Sequence, residues 1–159
     1  MRLARVLAPC LLIVLGGLGT SCSMFQSAPP KEYWEEYQLE HGPPRRDLLT
    51  ECQWALRNAG YPPGERDEAL GQVESGWLVS LHPFANRGRR YQGVILAEPS
   101  GEVGSYLLKV RVQVEANTEK RDTLEPASAK WEPLDDDVSR AGVLMEHVLI
   151  QLRQERGDR

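Results

Sequence analysis

The chain is poor in cysteine. Of its three cysteines, Cys10 and Cys22 stand in the first 22 of 159 residues, and Cys52 alone remains in the body. That body can form no internal disulfide, so its stability must come from a packed core. Histidine is scarce too. His41, His82 and His147 stand far apart, and none has a second ligand at metal spacing. No G-x-S-x-G elbow, P-loop or dinucleotide-binding glycine pattern is present. The expectation from these absences is a protein without cofactor or metal, and not an enzyme. A long apolar run is also missing. Leu11 to Leu15 is too short to span a bilayer, which takes roughly 20 apolar residues.

What stands around that short run is informative. Arg2 and Arg5 precede it without any acid, and Leu18-Gly19-Thr20-Ser21-Cys22 follows it. A charged start, an apolar core and small residues at a cut site make a signal peptide over residues 1–21. The five residues ending at Cys22 resemble a bacterial lipobox, with Gly19 where leucine is usual. That resemblance implies lipid on Cys22 and a membrane as partner. Two or more acyl chains anchor stably where one binds marginally. Ser23 after the cysteine implies the outer membrane, periplasmic face. The competing reading is plain secretory cleavage near an incidental cysteine. Cleavage before Cys22 removes two arginines and no acid, which takes the net charge from −4 to −6. An acidic chain lacks the basic footprint of a nucleic-acid binder.

Residues 22–46 read as lipidated cysteine and flexible tether, with Pro29-Pro30 and Gly42-Pro43-Pro44 as breaks. Between them Tyr33, Trp34, Tyr37 and Leu39 fall near helical spacing, so a short helix is an option within a partly ordered linker. A globular domain is expected over 47–154. Leu48, Leu49, Cys52, Ala55, Leu56 and Ala59 mark one face of a helix, ended by Gly60. Cys52 on that face reads as a small buried hydrophobe, or else a reactive thiol. Three strands follow, over 73–81, 90–98 and 106–116. The third alternates strictly, from Tyr106, Leu108 and Val110 to Ala116. A last helix starts near Asp137, with Asp135-Asp136-Asp137 as capping carboxylates. Residues 155–159 read as a disordered tail. The expected fold is therefore α+β: a single αβββα domain, a three-stranded antiparallel meander with both helices on one face.

Candidate partner-binding residues are Tyr33 and Trp34 in the tether, Arg87, Arg89 and Arg90 around the first hairpin turn, and Trp131 in the irregular stretch 118–136. The arginines, with Lys109 and Arg111, suggest a basic patch for phosphate head groups or an acidic partner. Their plain alternative is a solvated sheet surface. Val94-Ile95-Leu96-Ala97 is apolar on both faces, so the far sheet face needs a cover, from Trp131 and its loop or from a partner.

The stretch Leu48-Leu49 through Ala55-Leu56-Arg57-Asn58-Ala59-Gly60-Tyr61, with the Gly71 to Leu81 strand, resembles the helix-grip domains of small envelope lipoproteins, a group that includes the C lipoprotein of the β-barrel assembly machinery. The anchor, the aromatic tether, the open sheet edges and the lack of catalytic groups point to a non-enzymatic accessory or scaffold that binds another envelope component, with an envelope protein as partner. The alternative is a small-ligand or lipid-binding module, with Trp77, Tyr91 and Tyr106 lining a cavity between sheet and helix.

Overall fold

A computed structural model describes residues 28–157 except Pro83 and Ala85. Its elements are β1 (Glu35–Leu39), α1 (Arg45–Asn58), β2 (Arg66–Asp67), β3 (Gln72–Glu74), β4 (Leu78–Ser80), β5 (Arg89–Pro99), β6 (Tyr106–Asn117), a single 3₁₀ turn (Pro126–Ser128), β7 (Trp131–Leu134) and α2 (Val138–Gly157). All seven strands join one antiparallel sheet in the order β1-β6-β5-β3-β2, with β4 also on β5 and β7 also on β6.

This corrects the expected αβββα meander. β5 and β6 form as their alternation dictates, pairing over Arg89–Pro99 and Tyr106–Asn117. The expected first strand is two strands, because Ser75, Gly76 and Trp77 interrupt it. The Pro62-Pro63-Gly64 loop crosses there: Gly76 donates its N–H to the Pro62 carbonyl at 3.0 Å, and Ser75 Oγ accepts from Gly93 N at 2.9 Å. The other added strands are two to five residues long, too short for a pattern to reveal. β7 carries Pro133, which suits an edge.

Part of the stretch expected as tether is built into the sheet. Residues 35–39 are a strand on β6, not a helix, and from Lys31 onward the chain is fastened to the domain. Residues 155–157, expected in the tail, continue the α2 backbone to Gly157.

Hydrophobic burial explains the layering. Leu48, Leu49, Cys52, Ala55 and Leu56 of α1 and Ala141, Leu144, Met145, Val148 and Leu152 of α2 meet Ile95, Ala97, Leu108, Val110 and Val112 in one core. Gly93 lets both helices approach β5: an added Cβ would sit 2.6 Å from Leu56 Cδ2 and 2.9 Å from Leu144 Cδ2. Cys52 is fully buried in this core, and desolvation pushes its thiol up to about 12. α1 ends in a Schellman motif, with Gly60 at φ +86°, Gly60 N donating to the Arg57 carbonyl and Tyr61 N to the Leu56 carbonyl.

The three consecutive carboxylates do separate work. Asp137 caps α2, accepting from Arg140 N at 2.9 Å. Asp135 accepts from Lys31 N at 2.9 Å, and Asp136 from Tyr33 N at 2.8 Å. Two of the three thus hold the segment that leads into β1.

Asn117, 1% exposed at the end of β6, organises the loop that follows. Its Oδ1 accepts from Glu119 N and Lys130 N, and its N–H reaches the Gly88 carbonyl. Glu119 in that loop is held down to about 2 by the Arg121 N–H, then by Lys130 at 2.9 Å and the Lys120 N–H. A depressed carboxyl contributes stability that is complete above its unfolded value, near 4.5, and is lost as pH falls toward 2. The amides of Lys120 and Arg121 are therefore expected to lose protection from exchange over that acid window. Retention of protection at pH 2 would contradict this.

Candidate functional site

The sheet has an inner face under the helices and an outer face without them. Alternation and register place Arg90, Gln92 and Val94 of β5 and Arg111, Gln113 and Glu115 of β6 on the outer face. Three tryptophans join them. The Arg90 guanidinium lies between Trp77, 4.3 Å from its ring centroid, and Trp131, at 4.9 Å. It also donates to Glu115 through Nε at 2.6 Å. Arg111 lies 5.3 Å from the Trp34 ring centroid. Its Nη2 donates to Asp136 Oδ1 at 3.1 Å, and its Nη1 pairs with Glu32 at 3.2 Å. Val94, directly across from Arg111, is buried. Each arginine thus bridges elements: Arg90 ties the approach to β4 to β7, and Arg111 ties the approach to β1 to the start of α2.

The basic patch suggested by the sequence does not assemble. Arg90 and Arg111 are taken by carboxylates, and Lys109 pairs with Glu98 at 2.8 Å, which raises its pKa. Arg89 Nη1 donates to the carbonyls of Asn86 and Gly88. Arg87 stands apart on the turn, stacked 5.4 Å from the Phe84 ring centroid. Tyr33 packs on the core edge with its hydroxyl on Glu35 at 2.5 Å, and that hydrogen bond raises its pKa. Of the candidates, Arg90 and Trp131 meet, and Trp34 joins the same face. Arg87 and Arg89 do not. Cys22 lies outside the described residues.

Glu115 and Asp136 are site residues that the sequence reading did not select; Arg111 it gave to the basic patch and Trp77 to a cavity between sheet and helix, whereas both stand on the outer face. The parity of β6 puts Arg111 and Glu115 together. Trp77, assigned to a strand of broken alternation, carries no such signal.

A cleft of about 320 Å³ opens on this face. Trp77, Arg111, Gln113 and Glu115 line one side, and Pro29, Pro30, Lys31 and Pro133 rim it. Among the described residues the Gln113 amide has no hydrogen-bond partner, so the cleft offers a donor and an acceptor beside an aromatic ring. By contrast, the crevice between α1 and the sheet near Ser75 holds about 20 Å³, room for roughly one water. Among the described residues, no group of three histidines, cysteines or carboxylates is arranged to hold a metal ion. In comparisons with known proteins, the chain matches no family model and no curated sequence.

Proposed function

We propose that the chain is a lipid-anchored accessory protein of the bacterial envelope, held at the periplasmic face of the outer membrane through Cys22. It acts without catalysis by presenting its outer sheet face to another envelope component. The observation that supports this most is the cleft beside Trp77. It joins tryptophan and arginine, side-chain types enriched where proteins bind partners, to the Gln113 amide. Its rim is built by Pro29 and Pro30, seven and eight residues after Cys22, so whatever binds there is held next to the anchor. The filled contact of Leu56 and Leu144 on Gly93 weighs against a ligand chamber between helices and sheet.

Both halves of the reading are testable. Cys22→Ala is expected to abolish incorporation of labelled palmitate and to move the protein from the membrane to the soluble fraction. Retention in the membrane fraction would end the anchor reading. A photo-crosslinker at Gln113 is expected to capture one discrete envelope component, while one at Trp54, on α1, captures none. Equal capture at both positions would overturn the role of the outer face.

A further inference from the structure

The lipid anchor and the fold together constrain how the domain stands on its membrane. β1 runs antiparallel to β6, so the chain upstream of β1 runs toward the C-terminal end of β6. Ala28, Pro29 and Pro30 accordingly lie beside Glu132, Pro133 and Leu134 of β7. That end of the sheet carries two loops that meet at Asn117, the β4–β5 turn and the β6–β7 loop.

Both loops expose apolar side chains. Phe84 is 64% exposed and Leu124 59%. The loops and strand ends there carry Arg87, Arg89, Lys120, Arg121 and Lys130, against Glu119, Asp122, Glu125 and Glu132. None of the ion pairs among the described residues uses Arg87, Lys120 or Arg121. An acidic protein therefore has one end with surplus positive charge and two projecting hydrophobes. The opposite end, the β5–β6 turn, also projects a hydrophobe, the fully exposed Val103, but carries Glu102 and no lysine or arginine between Pro99 and Tyr106, so charge is what sets the two ends apart.

We propose that the Phe84–Leu124 end of the sheet rests on the surface of an anionic bilayer, the two side chains entering the interface and Arg87, Lys120 and Arg121 facing the head groups. This deepens the proposed function and rests on its lipid anchor at Cys22. Chain reach supports it. Six residue-to-residue steps lead from Cys22 to Ala28, a span of at most about 20 Å. β6 is 12 residues long, about 36 Å at a strand rise of ~3.3 Å. If the β5–β6 turn stood on the membrane instead, Ala28 would be held farther away than its linker reaches. Charge then favours the basic end over a flat stance, since each cation near an anionic surface strengthens binding about fivefold.

The test uses the mature lipidated protein in vesicles of phosphatidylglycerol and phosphatidylethanolamine, with single labels at Phe84→Cys, Leu124→Cys, Trp54→Cys and Val103→Cys. Native Cys52 is buried and does not compete for label. Lipid-attached quenchers are expected to quench positions 84 and 124 at least threefold more than 54 and 103. Equal quenching at 54 or 103, or none at 84 and 124, would overturn the proposal. Mass spectrometry of the same sample reads the lipid on Cys22 separately. If that lipid is absent, the anchor reading falls, and the inference is decided by sedimenting the unlipidated chain with the same vesicles. Binding that drops about fivefold with Arg87→Gln sustains the basic end as the docking surface, and no binding, or binding unchanged by that substitution, overturns it.

Discussion

Asp136→Ala is expected to lower the unfolding free energy by about 3 kcal/mol, the low end of the range for removing one partner from a buried ion pair. The Asp136 side chain is 3% exposed and the Arg111 side chain 13%. Asp136 takes Arg111 Nη2 at 3.1 Å, has its Nε at 3.0 Å, and accepts from Tyr33 N at 2.8 Å. Removing the carboxylate leaves Arg111 with only the exposed Glu32, and leaves a backbone N–H without its acceptor. The effect should be local as well as global: amide exchange in β1 should rise more than in β5. Urea unfolding and exchange together check this. A loss under ~1 kcal/mol with β1 still protected would show that Asp136 is not the clasp. Replacing both partners, Asp136→Leu with Arg111→Met, should cost less than the single change, because no charge is then stranded.

Gly93→Val should destabilise by about 2–3 kcal/mol, although strand propensity alone favours valine over glycine by up to ~1 kcal/mol. The two effects have opposite signs, so the direction of the result decides between them. Packing should win because the new Cβ would meet Leu56 Cδ2 at 2.6 Å and Leu144 Cδ2 at 2.9 Å, and valine adds two methyls beyond it. Thermal melts of Gly93→Val, of Leu144→Ala and of the double variant form a cycle. The double variant should be more stable than the sum of the two losses predicts, since removing Leu144 makes the room that valine needs. Strict additivity, or a gain from Gly93→Val, would show that the helices do not rest on β5 as described.

The long elements were legible because their burial leaves a period in the sequence. In β6 the inward residues from Tyr106 to Ala116 are buried and those between are half-exposed, with Leu107 among them. Leu48, Leu49, Cys52, Ala55 and Leu56 likewise all turn out buried. β1 was not legible. Tyr33, Tyr37 and Leu39 fit a strand and a helix alike over so short a stretch, and what selects the strand is the free edge of β6. β7 was hidden by Pro133, and β2 is two residues long. The site was half legible for a related reason. Trp34, Arg90 and Trp131 stand out as residue types, but a guanidinium's partner comes from distant chain. Nothing near Arg90 in sequence points to Glu115, and nothing near Arg111 points to Asp136. The expected basic patch failed on this point: charge was counted along the sequence, whereas neutralisation happens across strands.

The clasp between Lys31, Tyr33 and the Asp135-Asp136 pair joins residues 104 and 103 positions apart. The first strand must therefore wait for nearly the whole chain to be delivered before it can be locked. A polypeptide synthesised from its N-terminus holds β1 open until α2 begins to emerge, and such long-range closure is slow. Any machinery that threads the chain N-terminus first meets it before the sheet can be completed, and the last carboxylates to arrive shut the door that the first residues left open.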